Sequence, residues 1–107
     1  MKEHFIEKTI TQCRALFCIH ESVIIDYKLE SCSDSWGCSS QVSDTHYMIR
    51  INPGMSIRDT VATTVHEMIH VKQWLFPSHD QDDSDGEEEA ENYQYKLTDI
   101  LWGLGLL

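Results

Sequence analysis

The sequence predicts an α+β domain in the order helix, strands, helix, helix, with the helices packed on one face of a small, mostly antiparallel sheet. Three observations predict it. Apolar residues recur at three- and four-residue spacing near the N-terminus and throughout the second half. They alternate with polar residues between positions 22 and 52. No repeat or proline-rich linker breaks the pattern, and 107 residues is the size of one domain, 1–107.

Each element follows from its own pattern. From Lys2 to Cys18, Ile6, Ile10, Cys13 and Phe17 form one stripe of an amphipathic helix. From Ser22 to Leu29, Val23, Ile25, Tyr27 and Leu29 share one face of a strand. Ser31 to Ser43 is mostly polar and reads as a loop with a short irregular edge strand through Cys38 to Val42. His46 to Asn52 alternates Tyr47, Ile49 and Ile51 as a further strand, and Pro53-Gly54 turns the chain. Ser56-Ile57-Arg58-Asp59 resembles a capping box and starts a second helix, whose buried stripe is Ile57, Val61, Val65, Met68 and Ile69 and which Pro77 ends. A third helix is expected from just after Gly86 to about Trp102, with Ala90, Tyr93, Leu97, Ile100, Leu101 and Leu104 as its apolar stripe.

Composition excludes several classes of function. The net charge of −10, with only eight scattered Lys and Arg, argues against a nucleic-acid partner. No apolar run reaches the roughly 20 residues of a membrane helix, and Met1 to Ile10 carries charges throughout without the apolar core of a secretory signal. A cytoplasmic monomer is the simplest expectation. Cys13, Cys18, Cys32 and Cys38 contain no C-x-x-C pair, so a zinc knuckle is not indicated. In a reducing compartment Cys32 and Cys38 are expected as free thiols, although their spacing permits a bridge.

One motif carries chemistry. Val65-His66-Glu67-Met68-Ile69-His70 contains H-E-x-x-H within the second helix. Residues four apart on a helix differ by about 40° of rotation and about 6 Å of rise, so two imidazoles so placed converge on a single Zn2+ ion. Glu67 flanks the metal rather than facing it. From there its carboxylate takes a proton from a zinc-bound water, whose pKa the metal lowers toward about 7. A catalytic zinc needs a third protein ligand. The candidates are His79 and the acidic run from Asp80 to Glu91, which holds eight acids in twelve residues. That run does not fit a calcium-binding EF-hand: with Gly86 at the sixth position, Gln81 and Asn92 fall where carboxylates are required. Asp80 to Asp85 reads as solvated acid, whereas Glu87 to Glu91 opens a helix with its own apolar stripe.

His66-Glu67-x-x-His70 followed by Glu87-x-x-Ala90-Glu91 resembles the gluzincin pattern H-E-x-x-H … E-x-x-A-(D/E/N) over about Ile49 to Leu101, and the brevity of the chain resembles the minigluzincins and small phage or bacterial zincins. The resemblance implies a minimal zincin-like domain in which a C-terminal glutamate helix supplies the third ligand. Glu87 is the first candidate, with Glu91 and Glu88 as alternatives. It implies that Glu91, where Asp is commoner in the family, buttresses a zinc-binding imidazole when Glu87 holds the metal. It further implies a zinc endopeptidase whose extended peptide substrate lies along a sheet edge, presented by Cys38 to Val42 or by Tyr47 to Ile51. The reading from another class is a zincin-like module that binds zinc and a partner without hydrolysis. Tyr93 and Tyr95 are the oxyanion donors to consider on the glutamate helix, each more naturally read as a core tyrosine. His4, His20 and His46 lack a partner at ligand spacing. Trp36, Trp74 and Trp102 read as packing, and the apolar tail Leu101 to Leu107 either packs on the core or folds over the cleft.

Overall fold

The computed structural model describes residues 2–32, 35–76 and 83–107, excepting the side chains of 83–87. It has three helices and a small mixed sheet: α1 (Lys2–Leu16), β1 (Ile24–Leu29), β2 (Gly37–Ser43), β3 (His46–Ile51), α2 (Ile57–Leu75) and α3 (Asp83–Gly103). The strand order is β1-β3-β2. β3 is central, with β2 antiparallel on one side and β1 parallel on the other, pairing from Ile24–His46 to Leu29–Ile51.

This corrects the expected mostly antiparallel sheet. Alternation assigns a face to each strand but not a neighbour. Here Leu29 and Gly37 both pair with Ile51 at the C-terminal end of β3, so β2 starts level with the end of β1 and runs back, and the β2–β3 turn inserts β3 between its two partners. The order also places β2 at an edge and β3 in the centre, so of the two segments expected to offer an edge only β2 does so. The irregularity expected in that strand is a register shift between Gln41 and Ser43.

The helices lie on one face of the sheet. Tyr47, Ile49 and Ile51 of β3 are buried with Val65, Met68, Ile69 and Val71 of α2 and with Ile6, Ile10 and Cys13 of α1. The other face is open and mostly polar, with Ile24 and Met48 as its apolar members. It carries Asp26–His46 at 2.7 Å and Glu30–Arg50 at 2.7 Å. Tyr27 ties β1 to α1 by donating to Glu7 at 2.9 Å, and burial, followed by that bond, pushes its phenol up to about 12. Burial likewise raises the Cys13 thiol to about 12, which keeps it protonated and inert. Among the described residues no helix is long and apolar enough to cross a membrane.

α2 starts as its sequence requires, with the Ser56 hydroxyl accepting from the Asp59 amide at 3.2 Å. It ends at Leu75, with Phe76 as its cap, one residue before Pro77. α3 begins at Asp83, earlier than expected. Its inward face also differs from the expected apolar stripe. Tyr93, Ile100 and Leu104 are about half exposed or more, at 49%, 53% and 68%, whereas Ala90, Thr98 and Leu101 are buried and Gln94 is half-buried. The spacing 90, 94, 98, 101 is as helical as the expected one, but it includes two polar residues that an apolar count passes over.

Cys32 and Cys38 form a disulfide, which corrects the expectation of free thiols. The bridge ties Cys32, three residues after β1, to the second residue of β2.

Both α1 and α3 end in a Schellman motif. After α1, the Ile19 amide bonds the Arg14 carbonyl at 2.9 Å and the Cys18 amide bonds Ala15 at 3.3 Å. After α3, Leu106 bonds Leu101 at 3.0 Å and Gly105 bonds Trp102 at 3.1 Å. The left-handed position is Gly105 in one case, at φ +71°, and Cys18 in the other, at φ 54°. The side chain at Cys18 costs about 1 kcal/mol that glycine avoids. Cys18→Gly is therefore expected to raise stability by about 0.5–1 kcal/mol, read as a higher urea midpoint at unchanged slope.

Candidate functional site

His66 and His70 lie one turn apart on the side of α2 that faces α3. Their rings stand edge to face, with centroids 4.8 Å apart and planes at 71°. The two Nε2 atoms are 3.1 Å apart. Two bonds of 2.0–2.1 Å to one ion subtend about 95–100° across that gap, close to a tetrahedral opening.

What holds each ring is a glutamine. His66 Nδ1 is 2.6 Å from Gln94 Oε1, and His70 Nδ1 is 3.0 Å from Gln73 Oε1. Gln73 in turn donates its amide NH2 to Glu89 Oε1 at 3.3 Å, and Lys72 donates to the same oxygen at 3.0 Å. Burial alone would push the Glu89 carboxyl up. The hydrogen bonds from Lys72 and Gln73, with the charges of Lys72 and His70, outweigh it and hold the group below its ordinary value.

Glu67 lies between α2 and the start of β2, and only 5% of it is exposed. A Cβ on Gly37 would stand 3.5 Å from its Oε2. Together with Ser35, Trp36, Gly37, Thr63, His66, Glu91 and Gln94 it lines a cleft of about 280 Å³. Trp36, 53% exposed, forms the outer lip. The Trp36 carbonyl accepts from the Asn52 amide at 2.8 Å, which fixes this wall to the end of β3. Three of the cleft residues, Ser35 to Gly37, therefore belong to the segment that the Cys32–Cys38 bridge closes.

The structure distributes the expected site residues as follows. His66 and Glu67 line the cleft, and His70 stands beside His66 one helical turn on. Glu91 is exposed and lines the cleft wall, while the imidazole contact that the resemblance assigned to it is made by Gln94. Gln94 sits one turn beyond Glu91, three residues on, so its amide reaches α2 where Glu91 does not. Glu88 is exposed, and Glu89 is engaged with Lys72. Glu87 falls within α3, seven residues before Gln94, but its side chain lies outside the described residues, as does the alternative donor His79. Among the described residues no group of three or more His, Cys, Asp or Glu side chains is placed to hold a metal ion. The donor chemistry of the imidazole pair fits zinc; the third donor is the part that the described side chains do not supply.

Neither tyrosine of α3 reaches the cleft. Tyr95 donates to Asp59 Oδ1 in the first turn of α2 at 2.9 Å, beneath the Arg58 guanidinium, and Tyr93 is half exposed. The tail also lies elsewhere. Trp102 stacks on Phe5 at 5.6 Å, and Leu106 lines a groove with His4, Glu7 and Lys8 of α1. Trp74 stacks on Tyr47 at 5.7 Å. Gln94, Gln73 and Trp36 are the site residues that the motif did not reveal. Only Gln94 had a signal, its spacing of seven from Glu87 and three from Glu91.

No protein family, curated protein or solved structure matches the chain.

The tightest point of the cleft wall is Gly37. A Cβ there would meet Thr63 Cγ2 at 2.6 Å and the Arg50 carbonyl oxygen at 2.9 Å. The methyl of Thr63 can turn aside, but the carbonyl belongs to the β3 ladder. Gly37→Ala is expected to cost about 1–3 kcal/mol of stability and to weaken any ligand of the cleft. Urea unfolding and ligand titration on the same sample check both.

Proposed function

We propose that the chain is a minimal zincin-like zinc endopeptidase that hydrolyses a peptide bond of an extended substrate. His66 and His70 would hold the ion by Nε2, and Glu87 would be the third ligand. The observation that carries this reading is the 3.1 Å separation of the two Nε2 atoms beside the buried carboxylate of Glu67. A bound zinc supplies Lewis acidity, lowering the pKa of a water and polarising a carbonyl. The chain's own residues do the rest. Glu67 takes a proton on its carboxylate and passes it to the leaving amine. Burial against Gly37 keeps that carboxylate in one place. β2, at the sheet edge, offers backbone groups to an extended peptide, and Trp36 with Ser35 closes the outer side against water.

The general-base role is the part most open to test. Glu67→Gln preserves volume and leaves both imidazoles in place. It is expected to keep one zinc per chain and to lower peptide cleavage about 10²–10⁴-fold. Metal analysis and a peptide-library assay on both proteins read the two effects separately. If the unaltered chain binds zinc and captures a peptide without cleaving it, the non-hydrolytic module replaces the enzyme. If it takes up no divalent ion, both fail.

Location in the cytoplasm and action as a monomer belong to the same proposal. The Cys32–Cys38 bridge gives the compartment a test, because such bridges persist in oxidising surroundings and not in the cytosol. Alkylation at the moment of cell lysis counts four thiols for a cytoplasmic chain. Two thiols, Cys13 and Cys18, would assign it to an oxidising compartment.

A further inference from the structure

The two walls of the cleft beside Glu67 differ in chemistry. The outer wall, at the entry to β2, carries the indole of Trp36, 53% exposed. The inner wall, on α3, carries the exposed Glu91. Among the described residues no Lys or Arg lines the cleft, and its ionisable members are Glu67, Glu91 and His66. The chain as a whole carries a charge of −10. At about 280 Å³ the space is at the small end of ligand pockets, which run from ~300 to ~1,000 Å³, so it takes one side chain rather than several.

These walls treat side chains unequally. An acidic one is repelled by two carboxylates and by the field of the molecule. An apolar one meets a single large apolar partner, Trp36, and must desolvate Glu91 to be buried there. A cationic one gains on both sides: its charge lies against a ring face and near a carboxylate, while its aliphatic stem covers apolar surface. Arg gains more than Lys, because its guanidinium is planar, stacks on rings and is less strongly hydrated. The molecule already holds one guanidinium in this way. Near the start of α2, Arg58 lies over the Tyr95 ring at 4.7 Å and pairs with Asp99 at 3.2 Å. There the chain supplies the cation itself. At the cleft it supplies only the ring and the carboxylate.

We propose that Trp36 and Glu91 form a subsite for a cationic side chain, Arg ahead of Lys, so that the extended peptide taken by this cleft is a basic one. What happens to the peptide after binding rests on the zinc endopeptidase reading; its recognition does not. β2 pairs with the backbone of the peptide, and the cleft selects one of its side chains. Glu91 is then a group that binds the substrate, not a metal ligand and not a support of an imidazole. The negative field of the molecule also speeds the approach of a basic peptide.

The experiment uses the full-length chain and two short peptides of alanine and glycine that differ at one central residue, Arg or norleucine. Binding to the metal-free protein is followed by the indole N–H signal of Trp36 in nitrogen-15 spectra. Cleavage by the zinc-loaded protein is followed as kcat/KM. The Arg peptide is expected to move the Trp36 signal and to bind about 5–30-fold tighter than the norleucine peptide, with a similar ratio in kcat/KM. Trp36→Leu and Glu91→Gln should each lower that ratio about 3–5-fold. Trp36→Phe keeps a ring and should retain most of it. Glu91→Lys should invert the preference, toward a peptide with Glu at the central position. Zinc content of the Glu91 variants should equal that of the unaltered chain.

Circular dichroism and urea unfolding identify any variant that fails to fold. Glu91 is exposed, so its variants carry the test if Trp36→Leu is lost. Equal affinity for the two peptides, or no binding of the Arg peptide, would overturn the inference. So would an Arg preference that survives in folded Glu91→Gln, because the charge of the whole molecule would then be its source. Loss of zinc from Glu91→Gln would make that residue a ligand and overturn it as well. Cleavage without an Arg preference overturns the subsite and leaves the zinc reading standing. An Arg preference in a chain that binds no zinc and cleaves nothing supports the subsite and overturns the zinc reading instead.

Discussion

The site depends on how closely α3 packs on α2. Ala90 is wholly buried at that contact and presents only a methyl group, so the two helices approach near enough for a glutamine on one to reach an imidazole on the other. A larger residue there would push α3 outward, and the 2.6 Å contact between Gln94 and His66 would be the first to open. The contact is held at both ends. Lys72 and Glu89 join the helices beside His70, while Arg58 pairs with Asp99 and stacks on Tyr95 near the start of α2. The exposed pairs contribute little energy each. Their importance is directional: they fix the rotation of α3 about its axis, and that rotation decides which of its polar residues faces the histidines.

This is also why the sequence revealed one half of the site better than the other. H-E-x-x-H is a local pattern: two imidazoles four residues apart on a helix must lie on one side of it, whatever else the chain does. The partners on α3 are set by a rotation that the sequence encodes only through its apolar stripe, and here the stripe misleads. Tyr93 and Ile100 look like core residues and are half exposed, whereas Gln94 and Thr98 look like surface residues and lie on the packed face. An inward polar residue is tolerated when it has a partner. Thr98 bonds the Gln94 carbonyl at 2.6 Å, and Gln94 bonds His66. The partner cannot be read before the packing is known, so an apolar pattern assigns such residues to solvent.

The sheet shows the same division between local and non-local information. Alternation correctly assigned Tyr47, Ile49 and Ile51 to the buried face, because a strand covered on one side must alternate. It did not show that β1 would run parallel to β3. That pairing depends on which edge of β3 receives β2, and the connecting sequence from Glu30 to Ser35 is polar, without apolar anchors, and flanked by a bridge that spacing alone left open. With β2 antiparallel at the far edge, β3 fills the space between β1 and β2.

Ser35, Trp36 and Gly37, which lead into β2, give the cleft its outer wall. α2 supplies a floor with donors on it, but a helix surface is convex and cannot enclose a substrate by itself. Enclosure needs a second surface rising beside the same turn of helix. Here it comes from backbone rather than from bulky side chains. Gly37 lets β2 approach so near α2 that a single added carbon would collide with Thr63 and with the Arg50 carbonyl, and the same closeness shields the Glu67 carboxylate. Trp36, the next residue back, then projects from a strand end fixed by its hydrogen bond to Asn52. The outer wall is therefore as rigid as the sheet it grows from. The inner wall, built on α3, moves only if a helix rotates. A ligand entering between them would meet one wall that is fixed and one whose position the imidazole supports report.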